Sequence, residues 1–238
     1  VVFVLDTSGS MTYGLNNNTT SEDSRAKAMV NAVNSSIKTI MSKNAESRIG
    51  VVGFSGDSST IIPLGKYDRN TDYLKYSAES KGRPGWPGGQ QEITQKIISN
   101  VGNTSERTVT GGTNTQSGIK AGAEMLMDAQ NKQYEITEKL KVTRTPVLIL
   151  VTDGEPTYYY ANETATGTRI GDGGATIASD EDYYYWTIRT AKYYKDQITK
   201  KYYPNEEDTS KVFTIGIGMS GYEATVLLDP NETNVKAC

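Results

Sequence analysis

Two short, unbroken apolar runs, Val1–Leu5 and Pro146–Val151, constrain this chain more than any other feature of it. Both are rich in β-branched residues and neither alternates with polar ones, the pattern of a strand buried on both faces. Such strands belong to parallel sheets covered by helices on both sides. The intervening sequence supplies the helices. Ala26, Met29, Val30, Val33, Ile37, Ile40 and Met41 recur at three- and four-residue spacing and predict an amphipathic helix over about 23–42. A second helix is predicted from about Asn114 to Gln130, after the turn Gly111-Gly112-Thr113, and a third from Tyr183 to Lys201. Arg48–Ser55 and Ser59–Leu64, joined by Gly56-Asp57-Ser58, predict an antiparallel hairpin whose Pro63-containing strand lies at an edge. Lys211–Ile217 is a further strand. The expected fold is α/β: a doubly wound, mainly parallel central sheet with one antiparallel edge strand and helices on both faces.

At 238 residues the chain is expected to be a single domain with insertions. Without an initiator Met or a leader, it reads as a fragment of a longer protein. Two segments are longer than ordinary connections and are expected to be inserted arms, at about 67–91 and 157–181. The first carries Trp86 in a Pro/Gly setting. The second carries Tyr158-Tyr159-Tyr160 and a glycine-rich stretch over 167–174.

Composition removes several classes of function. The chain has no histidine, so Ser-His-Asp triads and His-ligated zinc are excluded. Net charge is −3 with no block of Lys and Arg, which argues against a nucleic-acid partner. The apolar runs are far too short for a membrane span, so no direct membrane insertion is expected.

What remains is a set of hard oxygen donors. Asp6-x-Ser8-x-Ser10, Thr113 and Asp153 lie on three loops, each following an apolar strand or a glycine turn. In a parallel sheet the loops bearing Asp6 and Asp153 emerge at the same edge. Carboxylate and hydroxyl oxygens without thiolate or imidazole select magnesium, manganese or calcium over zinc or copper. Two carboxylates neutralise a divalent cation formally, while neutral hydroxyls leave it electrophilic and able to take a carboxylate from a partner. This is binding chemistry, with no need for a base or a nucleophile.

Val1–Ser10 (VVFVLDTSGS), Gly112–Ile119 (GTNTQSGI) and Leu150–Glu155 (LVTDGE) resemble the von Willebrand factor A-type, or integrin I-type, domain. The resemblance spans nearly the whole chain apart from the two insertions. It implies a metal-ion-dependent adhesion site made of Asp6, Ser8, Ser10, Thr113 and Asp153. Thr113 is chosen over Thr115 by its spacing from Ile119 in the family pattern. The resemblance also implies that Ser8, Ser10 and Thr113 touch the metal directly in the ligand-bound state, with Asp6 and Asp153 partly acting through water. One divalent cation is expected, Mg2+ first and Mn2+ or Ca2+ as alternatives.

The insertions resemble the arms of some Gram-positive pilus-tip adhesins. That implies a non-enzymatic adhesion module on a cell surface or pilus, outside the cell and attached to flanking domains. Its expected partner is a host extracellular-matrix or plasma protein. A structural subunit docking another pilus or surface subunit is the alternative. An accessory domain of a chelatase or ATPase is disfavoured, because no P-loop is present. Tyr158, Tyr159, Tyr160 and Trp86 are candidates for an aromatic rim around the metal, and packing within the arms is the competing reading. Tyr183, Trp186 and Ile188–Ala191 fit helix packing, and Asp180–Asp182 a helix N-terminus rather than a second cation site.

Overall fold

The computed structural model describes residues 1–16, 19–82, 91–128, 133–137, 140–174, 181–205 and 211–217. Its elements are β1 (Val2–Asp6), α1 (Arg25–Lys43), β2 (Ile49–Phe54), β3 (Ser58–Gly65), β4 (Leu74–Gly82), β5 (Gln91–Ser99), β6 (Glu106–Thr108), α2 (Thr115–Leu126), β7 (Gln133–Thr137), β8 (Leu140–Thr143), β9 (Val147–Thr152), α3 (Glu181–Tyr202) and β10 (Lys211–Gly216). A 3-10 turn at Gly9–Thr12 follows β1.

The central sheet has the order β10-β9-β1-β2-β3. All its pairings are parallel except β2 with β3, the antiparallel edge. Successive side chains of a strand point to opposite faces, so an all-apolar strand feeds two cores at once. Phe3, Leu5, Ile49 and Val51 pack with Ala26, Met29, Val30, Val33 and Ile37 of α1 on one face. Val2, Val4, Val52, Phe54, Leu148 and Leu150 pack on the other, against Ile119 and Ala123 of α2 and Ala191, Tyr194 and Ile198 of α3. The expected doubly wound architecture is therefore present. Chain order reverses across β1, with β2 on one side and β9 on the other, so the loops leaving β1 and β9 part above the sheet. Open α/β folds place their ligand crevice at such a point.

Local chemistry starts the helices where they are needed. The Ser24 hydroxyl accepts from the Lys27 N–H (3.3 Å) and Asn114 Oδ1 from the Ser117 N–H (3.2 Å), capping α1 and α2. On α2, Gly118 and Gly122 lie one turn apart against the sheet. A Cβ at Gly118 would come within 2.6 Å of the Phe54 ring, and one at Gly122 would overlap Val4.

The first insertion departs from the expected long, irregular connection. β4 and β5 pair antiparallel from Leu74↔Ser99 to Gly82↔Gln91, and β6 adds a third strand. The alternation that marks a strand is disguised on β5, because its buried positions are Gln95, Ile97 and Ser99, polar at two of the three. Asn34 of α1 holds this sheet in place. Its side chain donates to Leu74 O (2.8 Å) and accepts from Leu74 N (3.0 Å), replacing a strand partner. Gln95, fully buried, donates to Thr12 O (3.1 Å) and Ser21 O (2.8 Å), tying the arm to the loop after β1. The β7–β8 hairpin was likewise not expected from the sequence pattern.

Trp86, Asp180 and Cys238 lie outside the described residues. Tyr183, Ile188 and Ala191 are buried, as expected of helix packing, while Trp186 meets Tyr185 edge-on at 5.0 Å. Among the described residues no helix is long and apolar enough to cross a membrane.

Candidate functional site

β1 ends on Asp6, and β9 is followed directly by Asp153; both are buried. Asp6 spans the two strands. Its Oδ1 accepts the Ser8 N–H at 2.8 Å and its Oδ2 the Thr152 hydroxyl at 2.6 Å. Ser10 Oγ donates to Asp153 Oδ1 at 2.9 Å and lies 3.1 Å from Ser8 Oγ. Asp153 Oδ2 accepts from Arg25 Nη1 at 2.7 Å. Asp6, Ser8, Ser10 and Asp153 are thus brought together by one local hydrogen-bond network.

Thr113 stands on the adjoining loop, 4% exposed. That loop is stitched to the first by Gly9 N to Gly111 O (2.8 Å) and Thr110 N to Thr7 O (2.8 Å), and to the residue just after β2 by Asn114 N to Ser55 O (2.7 Å). Gly111 has φ +82°, a conformation that favours glycine. Gly112 is required for space, since a Cβ there would lie 2.5 Å from Thr157 Oγ1 and 2.6 Å from Gly173 Cα.

Burial holds the Asp6 carboxyl well above the usual carboxylate range, and the charge of Asp153 adds to this. The hydrogen bonds from Ser8 and Thr152 oppose it only in part. Two buried carboxylates are met there by a single guanidinium, which leaves a deficit of positive charge. A hard divalent cation fits that deficit and the oxygen-only donor set. In such a site Ser8, Ser10 and Thr113 would supply neutral hydroxyls, and Asp6 and Asp153 the charge.

Three supporting residues carried no sequence signal as site residues. Thr157 binds Thr113 from both sides: its hydroxyl accepts Thr113 N–H (2.7 Å), and its own N–H donates to Thr113 O (2.8 Å), as does that of Tyr158 (3.1 Å). Gln116, fully buried on α2, accepts Tyr160 N–H (2.6 Å) and donates to Tyr160 O, Asn162 O and Thr190 Oγ1. The second arm is therefore joined to the Thr113 loop rather than peripheral to it. Arg25, on the first turn of α1, is the third.

The tyrosine triplet divides. Tyr158 is half-buried, with the Arg169 guanidinium 4.0 Å over its ring and the Gly112 turn beneath it. Arg169 also donates to Gly56 O. Tyr159 is buried edge-on to Tyr183 at 4.7 Å, so it packs the arm onto α3 and is not part of an exposed rim. Tyr160 is half-buried and its backbone is held by Gln116.

A family profile described as von Willebrand factor type A domain matches residues 1–155. Among solved structures, the pilus adhesin SpaC of Lactobacillus rhamnosus GG superposes with a TM-score of 0.51 at 18% identity, covering 99% of this chain and 29% of that one. A mutant of the PilB minor pilin of Streptococcus sanguinis gives 0.47 at 15% identity, covering 99% and 58%. The von Willebrand factor domain of the type V pili tip protein Mfa5 of Porphyromonas gingivalis gives 0.38 at 18%, covering 81% and 49%. The chain spans less than two thirds of each of these proteins. No curated protein sequence matches it.

Proposed function

The chain belongs to the von Willebrand factor type A domain family, and from that premise we propose that it is a metal-dependent adhesion module. Asp6, Ser8, Ser10, Thr113 and Asp153 hold one divalent cation, Mg2+ before Mn2+ or Ca2+. An acidic residue of a host extracellular-matrix or plasma protein completes its coordination. The observation that carries this reading is the Ser10 hydroxyl, 3.1 Å from Ser8 Oγ and 2.9 Å from Asp153 Oδ1, which joins donors from two loops into one oxygen cluster. When bound, the cation supplies a Lewis-acidic position. The chain's residues fix its place and leave it short of negative charge.

The reading is of binding rather than catalysis. The carboxylate beside Ser10 is already tied to Arg25, and no histidine is available as a base. Tyr158 and Arg169 offer an aromatic and cationic rim on the Thr113 side. The surface or pilus setting, Gram-positive in the sequence reading, accords with the fold-level likeness to SpaC. Docking to a sibling subunit or flanking domain is the second reading. It is favoured by the edge strand β10, which exposes Phe213 (52%) and Ile215 (50%).

The test is binding to immobilised matrix and plasma proteins in Mg2+, then in excess chelator, with Asp6→Ala alongside. Adhesion predicts binding lost on chelation and in the folded variant. Binding that survives both contradicts it, and binding only to a sibling subunit selects the second reading.

A further inference from the structure

Arg25 places a positive charge inside the site, and nothing in the adhesion reading requires one there. Its position is fixed twice, by the Ser24 cap ahead of it and by its own N–H donating to Tyr13 O at 2.9 Å. The Arg25 side chain is 11% exposed and the Asp153 side chain 0%, with Nη1 to Oδ2 at 2.7 Å. The remaining carboxylate oxygens also have donors: Asp153 Oδ1 takes Ser10, and the Asp6 oxygens take Ser8 N–H and Thr152. Two carboxylates and one guanidinium give the buried cluster a formal charge of minus one, where the carboxylates alone would give minus two. A divalent cation then leaves the filled site positive rather than neutral.

We propose that Arg25 is a positioning residue that sets the charge of this site through its buried pair with Asp153, loosening the hold on the cation and strengthening capture of an acidic partner group. The inference rests on the metal-dependent reading given above. It follows from the sign of the interactions. A fixed cation repels the metal and attracts the incoming carboxylate, and burial lessens the screening of both. A purely structural Arg25 would act differently. Removing it would release Asp153 and weaken both affinities together.

The test titrates Mn2+ alone into the wild type, Arg25→Gln, Arg25→Met and Arg25→Lys by calorimetry. Acetate is then added as a carboxylate probe while the water-proton relaxation of bound Mn2+ is followed. The neutral variants are expected to bind Mn2+ about tenfold more tightly and acetate more weakly by a similar factor. Arg25→Lys, which keeps the charge, lies closer to wild type than either neutral variant in both. Unchanged or weaker Mn2+ binding in the folded neutral variants overturns the proposal. So does their failure to fold, which would make the pair a structural brace. A folded wild type that binds no Mn2+ overturns the underlying metal reading, and this inference falls with it.

Discussion

At the scale of single residues, the site divides into groups that offer oxygen and groups that hold them. The first kind was legible in the sequence. Asp6, Ser8, Ser10 and Asp153 directly follow or end apolar strands, and Thr113 follows a glycine turn, so each announces a loop above a sheet edge. The second kind was not. Thr157 looks like any polar residue after a proline, and its role exists only because the arm's backbone comes down on Thr113. Gln116 and Arg25 sit on helices whose apolar spacing gives no hint of what their polar ends reach. Thr157→Val tests the distinction. It keeps the shape but leaves the buried Thr113 N–H without its acceptor, a loss of about 1–3 kcal/mol. The expected result is a folded protein whose cation or ligand affinity drops, read by calorimetry. Undiminished affinity would show that Thr113 holds its place without Thr157.

At the scale of elements, the strands and helices of the central sheet were readable because burial on two faces leaves a strong pattern. β1, β2 and β9 are apolar runs, and α1 to α3 carry helical spacing. The β4–β5–β6 sheet escaped because its inner face is satisfied by hydrogen bonds as well as by apolar packing. Gln95 reaches Thr12 and Ser21, and Arg107 of β6 reaches Thr7 Oγ1 (3.0 Å) and Ser55 Oγ (2.8 Å). A strand buried through such groups does not alternate in hydropathy. Close approach of α2 to the sheet is the other feature that periodicity hides. Gly122→Val would drive a branched side chain into Val4 and Leu148. Overpacking of this kind costs about 1–3 kcal/mol, more than the few tenths of helix propensity that Val gains over Gly. Chemical denaturation should show that loss, and an unchanged midpoint would mean that α2 can move away from β1 freely.

At the scale of the whole molecule, the site sits where three bodies meet: the central sheet, the β4–β5–β6 arm and the 157–174 arm. The second arm is moored to α3 as well as to the Thr113 loop, and Tyr194 is one mooring, donating to Thr164 O at 3.2 Å. Burial, followed by the charge of Glu124, pushes the Tyr194 phenol up to about 12 from its ordinary 10.0. The folded state thus favours the protonated phenol. Its contribution to stability is complete below about pH 10 and disappears as pH rises through about 12. Burial raises Tyr73, Tyr76 and Tyr202 in the same direction. Thermal melts should accordingly fall across that alkaline window. Tyr194→Phe should lose about 1 kcal/mol near neutrality with its hydrogen bond, but decline less steeply at high pH. An equally steep decline would place the alkaline sensitivity elsewhere. The central claim is more direct: three loops hold one divalent cation on hydroxyl and carboxylate oxygens. It is tested by anomalous diffraction from crystals of this chain grown in Mn2+. The account predicts a single strong peak among the oxygens of Ser8, Ser10 and Thr113, with Asp6 and Asp153 around it. A peak elsewhere, or none at this place in saturating Mn2+, would contradict it.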